Sequence, residues 1–411
     1  MEQRGREYLK AKLNTKAIRV KTRYRFYEMK DESATAEITI PRHLRRQYKA
    51  TLGWCGKAVD SLADRLIFKG FRNDLLDFQG IFNMNNPDIL ADSAILSALI
   101  GSCSFIYISQ DTSGFPRLQV IDGSNATGII DPITGLLTEG YAVLERNKEE
   151  KPIRTAYFTP EATTYYYGHN IERIEEHRNS KGIDILSYCA LVPIINRPDA
   201  KRPFGHSAIS RACMYWQEYA KRTLERSDVT AEFYSFPQKY VVGTSPEAEQ
   251  LETWRATIST FLQFDKDSEG DSPKLGQFTT PSMSPFTEQL RTAASGFAGE
   301  TGLTLDDLGF STDNPSSADA IRAAHETLRI KARKAQHTFG TGLLNVGYIA
   351  ACMRDQRNFK REAIYDTKAR WEPIFTPDAS SMGAFGDAIL KINQAVPGYL
   401  DEEKIEDILG I

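Results

Sequence analysis

The sequence has no long hydrophobic run. No apolar stretch among its 411 residues approaches the ~20 residues that a membrane-spanning helix needs, so we expect no membrane span. The N-terminal string MEQRGREYLKAKLN has no apolar core segment, and we expect no secretory signal there. The five cysteines are widely spaced without a C-x-x-C pair, which is typical of reduced, mostly buried thiols in a protein made in the cytosol.

The common catalytic motifs are also missing. There is no G-x-x-x-x-G-K-[ST] phosphate loop, no G-x-S-x-G elbow and no H-E-x-x-H pair, since the second histidine is absent after His325-Glu326. The six histidines are scattered, and we expect His169 and His177 to be exposed side chains rather than metal ligands. The sequence therefore predicts no enzymatic activity, no cofactor and no metal.

The sequence also has no excess of basic over acidic residues. The net charge is −3, with 41% hydrophobic and 26% charged residues, which is typical of an ordered globular protein. A protein that holds DNA tightly by its phosphates normally carries more positive charge. The length allows two to three domains or one elongated subunit.

Residues 1–30 depart from this balance, with ten basic and three acidic side chains and interleaved aromatics. One interpretation is an arm that faces nucleic acid or an acidic partner. The other, which we favour, is a solvated helix followed by a polar strap at the R-Y-R-F-Y string.

Hydrophobic patterns predict an α+β fold. A helix with Val59, Leu62 and Leu66 on one face should end near Gly70, and a second helix should span 86–103. A proline-rich extended connector is predicted for 190–205. Alternating patterns separated by turn residues predict an antiparallel sheet with helices on one face, its strands at 104–109, 117–121, 140–146, 154–159 and 163–168.

A helix is predicted over 207–234, with no proline or glycine inside it. Its apolar stripe is Ile209, Cys213, Trp216, Ala220 and Leu224, and its charged face is Arg211, Glu218, Lys221, Arg222, Glu225 and Arg226. No partner of equal length is evident nearby, so the helix packs either on copies of itself or as an ordinary core helix. Residues 236–281 then predict a strand, a helix, an acidic turn and a strand, and another helix is predicted from Pro285 to Phe297.

The most informative stretch is 299–328, GETGLTLDDLGFSTDNPSSADAIRAAHETL. Pro315 excludes a helix that runs in from upstream, and Ser316 can cap a long helix that continues to about Arg354. The preceding loop carries Asp306, Asp307 and Asp313 with no lysine or arginine. It is either a functional loop or a plain surface loop. Three carboxylates could also bind metal as in two-metal nucleases, although such sites usually have basic neighbours.

The string GLTLDDLGFSTDNPSSADAI closely resembles the segment that joins the stem to the long wing helix in tailed-bacteriophage portal proteins, where the loop is called the tunnel loop. VDSLADRL and ALIGSCSFIYIS resemble the wing of the same family. The resemblance implies a portal fold with an α/β wing, a long-helix stem, a small α/β clip and a short helical crown. The implied divisions are wing 1–205, stem helix 206–235, clip 236–281, returning stem 282–302, tunnel loop 303–315, wing again 316–378, and crown 379–411.

The resemblance also implies a function. Portal subunits form a ring, usually of about twelve copies, at one capsid vertex, and double-stranded DNA passes through its channel during packaging and ejection. The implied partners are the terminase large subunit, a head-tail adaptor, the major capsid and scaffolding proteins, and DNA, with no membrane. The implied location is the virion vertex, reached from the host cytoplasm during assembly.

Two groups of residues would carry this function. The loop that lines the DNA channel comprises Leu305, Asp306, Asp307, Leu308, Gly309, Phe310, Ser311, Thr312 and Asp313. The clip turn that docks partners comprises Asp265, Lys266, Asp267, Glu269 and Asp271. Two alternatives stay open, a metal-dependent nucleic-acid enzyme that uses Asp306, Asp307 and Asp313, and a minor structural protein of the capsid.

Overall fold

A computed structural model describes residues 4–31, 49–235, 239–242, 274–277, 279, 282–310, 321, 323–374, 379–400 and 405. The helices in these ranges are α1 (Arg6–Tyr27), α2 (Trp54–Ala63), α3 (Phe78–Asn83), α4 (Pro87–Gly101), α5 (Arg211–Ser235), α6 (Ser284–Thr301), α7 (Glu326–Arg354) and α8 (Ala379–Ala395). None of these helices is long and apolar enough to cross a membrane.

The strands in the same ranges are β1 (Phe68–Arg72), β2 (Cys103–Gln110), β3 (Pro116–Ile121), β4 (Ala126–Ile130), β5 (Leu137–Arg146), β6 (Pro152–Phe158), β7 (Ala162–Tyr167), β8 (Asn170–Glu176), β9 (Leu191–Ile195), β10 (Lys239–Val242), β11 (Lys274–Gln277) and β12 (Lys368–Trp371). They pair antiparallel in sheets ordered β3-β2-β9, β4-β5-β6-β7-β8, β1-β12 and β10-β11. The fold is mixed helix and sheet, and the five predicted strands are confirmed as β2, β3, β5, β6 and β7.

The core lies around the three-stranded sheet. On one face α4 packs through Ser104, whose hydroxyl donates to the Ala94 carbonyl (2.6 Å), and Gly342 of α7 packs on Ile194. On the other face Tyr107 contacts Phe158 of the five-stranded sheet, with ring centroids 5.5 Å apart. Helices therefore cover one face of this sheet, and the second sheet covers the other. The prediction of a single sheet is wrong, because β2 and β3 lie in one sheet and β5, β6 and β7 lie in another.

Two local predictions are wrong. The connector predicted for 190–205 begins with β9, whose five residues are all buried, and Pro193 is tolerated because β9 is an edge strand. Gly70 does not end a helix, because α2 stops at Ala63 and Gly70 lies in β1 with φ +113°. A Cβ at Gly70 would lie 1.9 Å from Gln79 Oε1, so a close approach requires this glycine.

The basic N-terminal segment is one helix through Tyr27, so the predicted strap at R-Y-R-F-Y is wrong. This helix is not simply solvated either. Lys12 Nζ donates to the Gly128 carbonyl (2.8 Å) and Lys16 Nζ to the Ala126 carbonyl (3.1 Å), which ties α1 to β4. Burial, and then the nearby Lys16 charge, lowers the pKa of Lys12.

The predicted helix 207–234 is α5, and it has a partner. It packs along α6, where a Cβ on Gly296 would lie 2.4 Å from the Trp216 ring. Two residues assigned to its charged face, Lys221 and Glu225, are buried. The prediction of an unpartnered stripe is therefore wrong, because the returning helix α6 covers one side of α5.

Several predictions fall outside the described residues. They are the helix and acidic turn of the insert (Asp265, Lys266, Asp267, Glu269 and Asp271), the loop residues Ser311, Thr312 and Asp313, and most of the acidic segment 401–409. The two strands at the ends of the insert are confirmed as the antiparallel pair β10 and β11. Within 379–411, where the resemblance implies a short helical segment, the described residues contain the helix α8.

Candidate functional site

The described part of the candidate loop, 303–310, begins at a well-defined helix end. α6 is closed by Gly302, which has φ +80° and donates from its N–H to the Ala298 carbonyl (2.8 Å). Lys331 of α7 donates to the exposed carbonyls of Glu300 (3.2 Å) and Thr301 (2.7 Å). This cation at the negative end of α6 fixes the base of the loop against α7.

The loop then folds into a compact turn. Asp306–Leu308 form one 3₁₀ turn, and Gly309 follows it with φ +88°. The N–H groups of Leu308 and Phe310 both donate to the Leu305 carbonyl (3.0 Å each). Nothing lies within 4 Å of a Cβ on Gly309, so this glycine is required by backbone conformation and not by crowding.

The two adjacent aspartates have different roles in this turn. Asp307 Oδ2 accepts hydrogen bonds from the Thr304 N–H (2.8 Å) and hydroxyl (2.9 Å), and the Asp307 N–H donates back to the Thr304 hydroxyl (3.2 Å). This reciprocal arrangement resembles a helix capping box. The side chain of Asp306 is exposed and directed to solvent. Asp306 is therefore the exposed carboxylate of the described loop, whereas Asp307 is held within the turn.

The apolar loop residues pack on their own chain. Leu303 is buried, and Leu305, Leu308 and Phe310 are half-buried against the main core. The Phe310 ring lies 6.5 Å from Trp54, which itself packs on Phe297 of α6 (5.5 Å). The turn is thus held to the subunit by apolar contacts, with Asp306 and Gly309 outermost.

The helix after the loop is shorter than predicted in the described residues. Residues 321, 323 and 324 are helical, a turn follows at His325, and α7 begins at Glu326. His325 Nδ1 lies 3.8 Å from Asp307 Oδ2, so the turn at the start of α7 meets the capped end of the loop. The expected continuous helix from Ser316 is therefore interrupted at His325.

Basic side chains lie along the first turns of α7, the helix that follows this acidic loop. Arg329 pairs with Glu326 through two bonds of 2.7 Å, and Ile330, Arg333, Lys334 and His337 line a shallow groove on the outer face of α7. The i, i+4 spacing of Arg329, Arg333 and His337 is the signal that could have revealed this face.

The described residues of the loop and its surroundings do not form a metal-binding site. In that part of the chain, no three His, Cys, Asp or Glu side chains are grouped to hold an ion. Asp313, the third carboxylate of the metal hypothesis, lies outside it. Asp307 is already used as an acceptor within the turn.

Comparison with known proteins gives one consistent result. No protein-family model matches the chain. The chain is 26% identical to the portal protein of Mycobacterium phage L5 over 406 residues, which cover 94% of this chain and 81% of that protein. It is 25% identical to the portal protein of Mycobacterium phage D29 over 405 residues, with the same coverage of both chains.

A solved chain described as "Neck of empty GTA particle computed with C6 symmetry" gives a TM-score of 0.47 at 12% identity, covering 91% of this chain and 95% of that one. The resemblance to phage portal proteins, first indicated by residues 299–328, is confirmed by the two mycobacteriophage sequences. It extends over almost the whole chain.

Proposed function

We propose that this chain is the portal subunit of a tailed phage, which assembles into a ring at one capsid vertex and lets double-stranded DNA pass during packaging and ejection. The observation that carries the proposal is the similarity to two phage portal proteins along 94% of the chain. The proposed partners are further copies of the chain, the terminase large subunit, a head-tail adaptor, and the major capsid and scaffolding proteins.

The proposed divisions map onto the described elements. The sheets β3-β2-β9 and β4-β5-β6-β7-β8 with α1–α4 and α7 form the wing, and α5 and α6 form the outgoing and returning stem. The pair β10-β11 is the base of the clip, and α8 belongs to the crown. In this assignment the turn 303–310 stands where the stem returns to the wing.

Because α6 covers one side of α5, ring contacts are proposed on further surfaces in addition to the open side of this helix pair. Exposed apolar side chains support such contacts. Ile171 and Ile174 on β8 are 58% and 55% exposed, and Leu390 on α8 is 59% exposed. Apolar groups on outer strands and helices commonly mark surfaces that another chain covers.

The charge of the loop fits a channel through which DNA slides. Each phosphate that a cation neutralises adds a salt-dependent contact, which must be broken as DNA moves. Asp306 presents a negative charge instead, while the cap at Asp307 and the packing of Phe310 keep the turn folded. A near-neutral chain with an outward carboxylate would therefore hold passing DNA weakly. The motor activity would belong to the terminase.

Packaging by particles that carry Asp306→Lys tests the assignment of the loop. A lysine in every subunit should hold phosphate, so packaging should slow and the defect should shrink as salt rises. Asp306→Ala should package nearly as wild type does. The matched control is Asp366→Lys, which makes the same charge change at an exposed residue between α7 and β12. Equal packaging by Asp306→Lys and the control at every salt concentration would contradict a DNA-facing loop.

The metal-enzyme alternative predicts a different result. Purified wild-type protein would cleave DNA when Mg²⁺ or Mn²⁺ is added, and Asp306→Ala would abolish the cleavage. We do not favour it, because Asp307 Oδ2 already accepts two hydrogen bonds from Thr304.

A further inference from the structure

Four arginines from three separate segments converge beside the start of α5. Arg19 and Arg23 are four residues apart on α1 and share one face of that helix. Arg23 Nε donates to the Ile209 carbonyl (3.3 Å), which places it next to Arg211, the first residue of α5. Arg202 comes from the turn between β9 and α5, where its Nη1 lies 3.3 Å from Nδ1 of His206, three residues before Ile209. The fold thus gathers guanidinium groups that lie up to about two hundred residues apart in the sequence.

A closed turn holds Arg202 in this cluster. The Asn196 carbonyl accepts a hydrogen bond from the His206 N–H (2.8 Å). The Asn196 side chain donates from Nδ2 to the His206 carbonyl (2.7 Å). Asp199 Oδ1 accepts from the Arg202 N–H (2.7 Å). Gly205 has φ +70°, and a Cβ there would lie 2.0 Å from the Asn196 carbonyl oxygen. The position of Arg202 is therefore set by the backbone of the turn.

The cluster has little acidic compensation of its own. Within the described residues, Arg19, Arg202 and Arg211 are exposed and form no ion pair with a carboxylate. The carboxylate of the turn, Asp199, is held at 2.6 Å by His206 Nε2 and by backbone N–H groups. Burial lowers the pKa of Arg23, and the charges of the other three arginines lower it further. An added anion would relieve this repulsion.

We propose that Arg19, Arg23, Arg202 and Arg211 form a binding site for the backbone phosphates of nucleic acid, separate from the loop 303–310. All four cations are arginines, whose planar forks match phosphate oxygens. The cluster also consists of cations alone, whereas protein–protein interfaces are normally depleted of charge at their centres and nucleic-acid interfaces are positive. All four arginines belong to one subunit, so DNA binding at this site does not require the ring to form.

Fluorescence anisotropy with a labelled DNA duplex of about 24 base pairs tests the site over about 50–200 mM salt. Arg202→Ala with Arg211→Ala should lower the salt slope of log affinity by about two and weaken binding about tenfold at 0.1 M salt, since two phosphate contacts are lost. The matched control is Arg357→Ala with Arg370→Ala, which removes the same charge from exposed residues after α7 and on β12. The control pair should keep the wild-type slope.

Equal slopes for the two alanine pairs would overturn the proposal. A second pair of substitutions distinguishes the loss of a phosphate contact from misfolding. Arg202→Lys with Arg211→Lys keeps the charge and should restore the slope, and a slope that stays low would contradict a phosphate contact. Displacement of the duplex by poly-glutamate of equal charge, at equal or higher affinity, would overturn the assignment to phosphate in favour of an acidic protein partner.

Discussion

Lys221 Nζ in α5 lies 2.8 Å from the carboxylate Oδ2 of Asp31, just beyond α1, and the two side chains are only 2% and 5% exposed. The same ammonium donates to the Asp31 backbone carbonyl (2.9 Å). This pair ties the end of the basic N-terminal helix to the helix proposed as the stem. It also explains why a lysine expected on a charged face is buried.

Removing one member of this pair should be costly. Lys221→Met leaves a buried carboxylate without its cation, and we expect a loss of ~3–5 kcal/mol in the free energy of unfolding. The double change Lys221→Met with Asp31→Leu should recover most of that loss, because neither partner then remains as an uncompensated charge. Urea denaturation of wild type, Lys221→Met, Asp31→Leu and the double variant measures the coupling, and strictly additive losses would contradict a buried ion pair.

The close approach of α5 and α6 at Gly296 gives a second prediction. Gly296→Ala places a methyl group where the Trp216 ring lies 2.4 Å away, so we expect the helix pair to be destabilised by ~1–3 kcal/mol. The control is Gly299→Ala in the same helix, where nothing lies within 4 Å. That change should stabilise the protein by up to ~1 kcal/mol through helix propensity. Thermal unfolding measures both variants, and similar shifts in their melting temperatures would mean that the helices do not touch at Trp216.

Replacing Asp306 and replacing Asp307 should change the free energy of unfolding by different amounts. Asp307→Ala removes the acceptor for the Thr304 N–H, and we expect a loss of ~1 kcal/mol, comparable to losing a helix cap. Asp306→Ala should change stability by less than ~0.5 kcal/mol because its side chain is exposed. Hydrogen exchange at the loop amides reports this directly, with faster exchange expected only for Asp307→Ala. Equal exchange in both variants would rule out the cap.

His177 should make stability fall in mild acid. It is 2% exposed, and its Nε2 lies 2.9 Å from the Thr163 hydroxyl, contrary to the expectation of an exposed side chain. Burial lowers the pKa of His177, and the charges of Glu175 and Glu161 only partly oppose this.

Below the unfolded-state pKa of ~6.5, the unfolded chain binds a proton that the folded chain resists, so stability is lost as the pH falls from neutral through this value. Unfolding measured at pH 7.5 and 5.5 should show a smaller pH effect for His177→Gln than for wild type. The exposed His169→Gln serves as the control, and an unchanged pH effect in His177→Gln would exclude this role.

The sequence predicted strands where side chains alternate or where turn residues bound an apolar run. Strand β7 alternates buried and half-buried positions, as burial of one face imposes. Strand β2 was predicted although its first six residues are all buried, because its apolar run has no proline and ends at a turn signal. β9 was missed because both of its faces are buried and it carries Pro193, which is characteristic of a connector until its edge position is known. β8 was missed because nearly all of its residues are exposed.

Contacts between distant residues could not be predicted from local patterns. Lys221 is buried because it pairs with Asp31. Position 296 requires a glycine because the Trp216 ring packs against it. In the candidate loop, the sequence identified the acidic turn and its glycines. It could not distinguish capping Asp307 from exposed Asp306, since that depends on the hydroxyl of Thr304.

The mass of the purified protein in solution tests the proposal of a portal ring most directly. A head-to-tail interface that closes gives one defined oligomer. Light scattering at micromolar concentration should therefore give a single species near twelve, or a close neighbour such as thirteen, times the 46.2 kDa of one chain. A monodisperse species at 46.2 kDa would contradict the proposed ring.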